Sequence, residues 1–300
     1  MTKTLTRTSA TATALTPVPA GVHRLARLCR AAGLFLLIVA LVLIAIFPIY
    51  WMLVTSVQPS TSLFSWPPRL VPSDGVSLGA YTEMLTSSGL LGWVGTSIRV
   101  SLATASISVV AASLAAYALS RFSFRGSKAT EIGMLATQMF PGILLALPMY
   151  LVFLRLGLVD DVNGLTLAYL AFIVPVSATL LKGFFDSIPK DLEEASLIDG
   201  TSRMGAFFRV TLPLSAPGLA ATFLFAFIVS WNEYLFARIL VRSAENWTIS
   251  LGIASYIGEY VTPWDQIMAG AVLVTLPVAA MFLFLQRYLL QGLTAGAVKG

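Results

Sequence analysis

Charged side chains make up only 11% of this 300-residue chain, so the places where they gather are the places where polar chemistry is on offer. One such gathering, seven charged residues, runs from Ile188 to Ala216. Pro189 suits the first turn of a helix, Asp191, Glu193 and Glu194 oppose the positive end of its dipole, and Asp199 with Gly200 ends it. A second helix starts at Thr201 and stops before Pro213. Leu192, Ala195 and Ile198 or Asp199 recur at three- and four-residue spacing, leaving a short apolar stripe for another protein's groove. The chemistry this segment offers is docking. The alternative is a solvated loop whose acids do nothing.

A second set of residues lies within apolar sequence. Glu233 is the one acid placed clearly inside a long apolar run, where an ionisable group is costly unless it pairs or faces an aqueous cavity. Its neighbours Trp231, Asn232 and Tyr234 supply a stacking surface and amide hydrogen bonds, the groups that sugars use. Trp and Tyr near a membrane interface are also common anchors, and both readings stand. Gln138 precedes Pro141, Gly142 and Pro148, and proline inside a helix removes a backbone hydrogen bond, so a kink is predicted there. Such breaks surround solute sites in transporters or simply improve packing. Asp160 and Asp161 read as a solvated turn, with contact to a soluble protein as the alternative.

Other chemistries lack their residues. The chain has no glycine-lysine step and hence no G-x-x-x-x-G-K-[ST] phosphate loop, and it shows neither a nucleophile elbow nor a Rossmann glycine signature. Its single cysteine, Cys29, makes no internal disulfide, and its single histidine, His23, cannot join Cys29 in a familiar four-ligand zinc site. An enzyme assignment therefore has no residues to stand on, and no cofactor is expected on this chain.

The elements that carry these residues are set by composition. At 57% hydrophobic residues and a mean hydropathy of +0.84, the chain has too little polar surface to wrap a water-soluble domain. A bilayer core of about 30 Å needs roughly 20 apolar residues per helical crossing. Six stretches qualify: Leu34 to Val54, Val100 to Leu119, Ile132 to Leu154, Leu165 to Leu181, Leu219 to Phe236 and Ile267 to Leu285. The expected fold is an all-α membrane protein of six transmembrane helices, with a charged helical loop after span four. In span two, Ser101, Ala105, Ser108, Ala112 and Ala116 put small side chains on one stripe, which favours close helix packing over a polar pathway.

Lysine and arginine orient the spans, since short cytoplasmic loops retain positive charge. With the N-terminus inside, fourteen of the 19 basic residues are cytoplasmic and only Arg69, Arg99, Arg155, Arg238 and Arg242 face out. Both termini are thus predicted to be cytoplasmic. The net charge of +5 is read as membrane orientation and not as a nucleic-acid patch. Residues 1–30 are expected to form a disordered tail, rich in threonine, alanine and proline over Met1 to Ala20, and the first apolar run, which begins too late and is too long for a signal-peptide core, is expected to remain as a membrane anchor. The Pro-rich segment from Ser56 to Trp93 is expected to be an external connection with a short amphipathic piece near Tyr81 to Leu85.

The run Glu194, Ala195, Ser196, then Gly200, then nine residues and Val210, Thr211, Leu212, Pro213 resembles the EAA loop of binding-protein-dependent ABC importer permeases. Serine replaces the second alanine and valine the usual isoleucine, both mild departures. Trp231 to Tyr234 and the ending Gly292 to Gly300 resemble the maltose-type carbohydrate subgroup, and the likeness covers residues 31–300. The resemblance implies a coupling helix within 187–216 that sits in a cleft of a separate ATPase subunit, where Glu194, Ala195, Ser196, Asp199, Gly200, Arg203, Leu212 and Pro213 would act. Small Ala195 and Ser196 permit close approach and Gly200 a sharp bend, while Glu194, Asp199 and Arg203 offer charged hydrogen bonds. It also implies a second permease subunit, two ATPase subunits that hold ATP and Mg, and an extracytoplasmic solute-binding protein. The expected setting is a bacterial cytoplasmic membrane. Candidate solute contacts are Gln138, Trp231, Asn232, Glu233 and Tyr234. An importer for a non-sugar solute and an ion-coupled secondary transporter remain the alternatives.

Overall fold

The computed structural model describes residues 20–72, 75–258 and 260–297, with side chains over 30–288 apart from 73, 74 and 259. The chain is helical: α1 (Ala20–Val57), α2 (Gly79–Thr86), α3 (Leu90–Arg121), α4 (Ser127–Thr137), α5 (Gly142–Arg155), α6 (Val162–Asp186), α7 (Lys190–Ile198), α8 (Arg203–Ala206), α9 (Leu212–Leu214), α10 (Ala216–Trp231), α11 (Leu235–Leu240), α12 (Ile249–Ala254) and α13 (Trp264–Ala297). No strand occurs among the described residues. The tail expected over 1–30 lies outside the described residues up to position 19, and so do residues 298–300 of the glycine-rich ending.

Among the described residues, four helices are long and apolar enough to cross a bilayer, over Arg30–Val57, Leu90–Arg121, Val162–Asp186 and Trp264–Tyr288. Two further stretches are bent pairs, α4 with α5 at 98° and Arg203–Leu214 with α10 at 77°, so the total is six if each pair is one crossing. The chain divides into two units, Met1–Trp51 and Met52–Gly300. The first contributes most of α1, whose apolar part from Arg30 has a mean hydropathy of 3.0.

In the second unit α3 packs against α6 and α10, and α10 against α13. The small-residue stripe of α3 makes this possible: Ser101, Ala105, Ser108, Ala112 and Ala116 are all fully buried. Ala168 and Ala178 on α6 and Ala226 on α10 are equally buried, so the backbones approach closely, and Ser108 Oγ donates to Ser177 Oγ at 2.9 Å between α3 and α6. The short amphipathic piece expected near Tyr81 is α2, which buries Ala80 and Met84.

The third span is broken where a kink was expected. Pro141 has no N–H to give, and its ring would crowd the carbonyl of Thr137. Accordingly α4 ends at Thr137 and Pro141 becomes the residue preceding α5, while Pro148 is tolerated inside α5. Gln138 sits in the break and donates through Nε2 to the Phe172 carbonyl of α6 at 3.2 Å.

Candidate functional site

The charged loop folds as a joint with two faces. Pro189 precedes α7, with Asp191 and Glu193 in its first turn. Gly200 then takes φ +86°, the left-handed region in which a side chain is strained, and turns the chain toward α8. Ser202 caps α8 by accepting from Gly205 N–H at 3.1 Å. The second helix runs on past the expected stop. Phe207–Thr211 widens into a π turn, in which Leu212 N–H bonds to the Phe207 carbonyl, and Pro213 is carried within α9. The wider turn relieves the clash that Pro213 would otherwise make with the preceding turn.

The inward face is centred on Glu193, which is only 6% exposed. Its carboxylate accepts from Arg121 Nε at 2.6 Å, from Thr211 Oγ1 at 2.6 Å and from Tyr117 OH at 3.1 Å. Arg121 also donates to the Ile188 carbonyl at 3.2 Å, and Tyr117 OH to the Arg203 carbonyl at 3.2 Å. The end of α3, the start of α7 and the π turn thus share one buried, charge-assisted hub. An aromatic trio surrounds it: Phe207 lies 4.6 Å from Tyr117 and 6.4 Å from Phe185, centroid to centroid. Outside the hub, Asp186 accepts from Ser120 Oγ at 2.6 Å and from Lys182 Nζ at 2.9 Å, and Lys182 also pairs with Glu131 at 3.5 Å, so α3, α4 and α6 are tied at the same end.

The outward face carries most of the residues singled out from sequence. Glu194, Ala195, Asp199, Gly200 and Arg203 are exposed and Ser196 is half-buried. Leu192, Met204 and Phe208 are exposed beside them, and Ile198 is 86% exposed. Leu212 is half-buried and Pro213 exposed at the π turn. Arg203 lies over the Phe122 ring at 5.4 Å. The structure adds Glu193, Tyr117, Arg121 and Thr211, which sequence reading passed over. Glu193 had counted as one dipole-facing acid among three, and Arg121 as a topology charge. The available signal was that Glu193 lies off the stripe of Leu192, Ala195 and Ile198.

At the opposite end of the spans, the Trp231–Tyr234 cluster falls at a second helix break, between α10 and α11. Trp231 is buried and stacked on Phe227 at 5.6 Å, and its carbonyl accepts from Ser250 Oγ at 3.0 Å. Asn232 is exposed, with its amide on the Ile228 carbonyl at 2.8 Å, and Tyr234 is exposed. The half-buried Glu233 accepts from the N–H groups of Phe236 at 3.0 Å and Ala237 at 3.2 Å, which begins α11. The buried Tyr169 hydroxyl is within electrostatic reach of Glu233 without meeting hydrogen-bond geometry. Phe236 stacks on Phe172 at 4.9 Å, whose carbonyl holds Gln138, so both helix breaks meet on α6.

The two aspartates of the α5–α6 turn are both engaged. Asp161 caps α6, accepting from Asn163 N–H at 2.6 Å and Gly164 N–H at 3.0 Å. Asp160 pins the segment after α11, accepting from the N–H groups of Arg242 and Ser243 at 3.0 Å each and from Ser243 Oγ. Those bonds, led by the Ser243 hydroxyl, hold its carboxyl down at about 2.

No group of three or more metal-ligating side chains occurs among the described residues. The two sites are an exposed face of apolar and charged side chains backed by the buried Glu193 hub at one end and a broken-helix region at the other.

Residues 108–295 match the family described as binding-protein-dependent transport system inner membrane component. The chain is 34% identical over 260 residues to the inner membrane ABC transporter permease protein YcjP of Escherichia coli K12, spanning 86% of this chain and 92% of that protein. It is 36% identical over 271 residues to the trehalose/maltose transport system permease protein MalG of Thermococcus litoralis, covering 88% and 96%. It is 33% identical over 255 residues to the diacetylchitobiose uptake system permease protein DasC of Streptomyces coelicolor, covering 85% and 92%. In fold it matches a chain of a bacterial ABC transporter involved in import of the acidic polysaccharide alginate, with a TM-score of 0.75 and 23% identity over 91% of this chain and 99% of that one. The chain therefore belongs to the binding-protein-dependent transport system inner membrane components, as a multi-pass ABC transporter permease of the inner membrane.

Proposed function

We propose that this chain is the permease subunit of an ATP-driven carbohydrate importer and that it couples to a separate ATPase through the outward face of α7 and α8. The observation that carries the reading is the two-faced joint. Exposed Leu192, Ile198, Met204 and Phe208 with Glu194, Asp199 and Arg203 suit a cleft in another protein, and the Glu193 hub backs that face directly onto α3 and the helix leading into α10. A push on α7 is then passed to the spans rather than absorbed by a slack loop. Leu212 and Pro213 act within the joint, as part of the turn that redirects force into α10.

Carbohydrate as the solute class is supported by the names of the trehalose/maltose and diacetylchitobiose relatives. We place the pathway where the two helix breaks meet, with Gln138, Asn232, Glu233 and Tyr234 nearest the solute and the buried Trp231 setting their backbone. The partners of this reading are a second permease, two ATPase subunits holding ATP and Mg, and an extracytoplasmic binding protein. Both termini are cytoplasmic in this reading, because short cytoplasmic loops retain lysine and arginine and this orientation puts fourteen of the 19 basic residues inside.

The test is affinity purification of the chain from its native membrane in mild detergent, with mass spectrometry of its companions. Recovery of an ATPase and a second six-span permease is the expected result. A chain that comes alone, and that moves sugar in vesicles on an ion gradient, would instead make Glu233 the ion-linked carboxylate of a secondary transporter.

A further inference from the structure

α5, α11 and the residues just after α11 border an open hollow of about 700 Å³, within the size range of small-molecule sites. Its lining is apolar at Ile143, Leu147 and Ile239 and polar at Tyr150, Arg238 and Arg242, with no acidic residue. Arg238 lies in the last turn of α11 and Arg242 two residues beyond its end, after the extended Val241, and both line the same hollow. The Arg242 guanidinium is held by the Tyr150 hydroxyl and lies 5.8 Å from the centre of that ring. The Arg238 side chain makes no hydrogen bond or ion pair among the described residues.

Two acids on neighbouring segments, Asp160 and Glu233, form no ion pair with these cations among the described residues. Asp160 spends its carboxylate on the backbone N–H of Arg242, on Ser243 and on Asn246, and Glu233 spends its own on the first turn of α11. Two uncompensated guanidiniums, one of them positioned by an aromatic hydroxyl, therefore face a partly apolar hollow. The planar fork of a guanidinium matches a carboxylate in two parallel hydrogen bonds, and aliphatic side chains suit the carbon skeleton of a sugar ring.

We propose that this cavity is an anion-recognition site that takes the acid group of a mono- or disaccharide, making an acidic carbohydrate the preferred solute of this permease. The assignment rests on the carbohydrate-permease reading for its setting and refines it by solute class. Arg238 is the primary contact, free to swing toward the ligand, and Arg242 is the fixed second cation, with Tyr150 setting its angle.

The test uses the full-length chain in phosphatidylcholine nanodiscs and two probes of equal size, cellobiouronate and cellobiose, titrated calorimetrically. Wild type is expected to bind the uronate about tenfold more tightly or better, with the preference falling as salt rises. Arg238→Gln, which leaves the Arg242–Tyr150 contact in place, should reduce the preference to less than about threefold, and Arg238→Lys should restore part of it. Equal binding of the two sugars by wild type, or an unchanged preference in Arg238→Gln, would overturn the inference. Loss of the preference in phosphatidylglycerol nanodiscs, with the lipid retained by wild type and shed by Arg238→Gln, would also overturn it in favour of a lipid headgroup site. An ATPase that co-purifies with a chain showing no preference sinks this inference alone. A uronate preference in a chain that recruits no ATPase sinks the importer reading and leaves the site standing.

Discussion

Replacing Glu193 by glutamine keeps the side chain's size and removes its charge. The Glu193 side chain taken alone is 9% exposed, the Arg121 side chain opposite is 6% exposed, and their N···O distance is 2.6 Å. Breaking a buried ion pair from one side costs about 3 to 5 kcal/mol, because the remaining charge stays buried without its partner. Arg121 keeps the Ile188 carbonyl and Ser120 Oγ, and glutamine keeps one carbonyl for Thr211 or Tyr117, so about 3 kcal/mol is the appropriate figure. The loss falls on the joint rather than on the whole fold, since the α3–α6–α10 core is packed elsewhere. At about 1.4 kcal/mol per tenfold, opening of α7 and the π turn should rise roughly 100-fold. Hydrogen exchange of the chain in nanodiscs reads this directly: amides of 190–198 and 207–211 lose that protection, while the middle of α3 and α6 is unchanged. The double variant Arg121→Met with Glu193→Met removes both charges and should recover at least about half of the loss. Exchange within threefold of wild type in Glu193→Gln would refute the idea that this carboxylate holds the joint, as would a double variant no better than the single one.

Three further outcomes follow from the same geometry. Glu194→Arg, on the exposed face, should change stability by no more than a surface substitution does, about 0.5 kcal/mol, yet uncouple ATP hydrolysis from uptake in the assembled transporter; paired ATPase and uptake assays that stay proportional would count against docking there. Gly252→Ala would place a methyl 2.1 Å from Cε3 of Trp93, which is hemmed in by Trp247 at 5.8 Å and Tyr256 at 6.4 Å. Overpacking of this kind costs about 1 to 3 kcal/mol, visible as a lower thermal midpoint in detergent. Asp160→Asn tests the turn at the other end. The Asp160 carboxyl is held at about 2, below its ordinary 3.8, so its contribution is present above about pH 4 and is lost as pH falls toward 2. Asparagine tolerates the backbone φ of +62° found there, so the variant isolates the charge. The melting difference between wild type and Asp160→Asn should be constant from pH 8 to 5 and shrink below 4.

Much of this molecule is written in one-dimensional pattern. Long uncharged runs demand helices in lipid because an unpaired backbone group in hydrocarbon is prohibitive, and no partner needs to be known for that conclusion. The stripe from Ser101 to Ala116 similarly announces a close helix contact, since small side chains at helical spacing have little other use in a membrane. The EAA-like spacing marks the joint, and its outward residues stand where a local helix reading puts them. The inner half of the joint was hidden for a physical reason: Glu193 is separated from Arg121 by 72 residues and from Tyr117 by 76, and a charge pair at that separation leaves no periodic trace.

Chain pattern also determined that proline would interrupt the third span, because a missing N–H is a local fact. What spans the break was decided in three dimensions: the Phe172 carbonyl that accepts from the Gln138 side-chain amide is brought there only by α6. Trp231 shows the same division. Its place near a span end was legible, while its burial against Phe227 and Ser250 was decided by which face α10 turns inward. The hollow shared by Arg238, Arg242 and Tyr150 lies at this boundary too: the sequence by itself supplied the two cations four residues apart, and only the packing of α5 against α11 placed an aromatic hydroxyl and a cavity before them. Local propensity and hydropathy act along the chain, whereas the pairing of distant charges and the facing of helices follow from burial, which exists only once the helices have met.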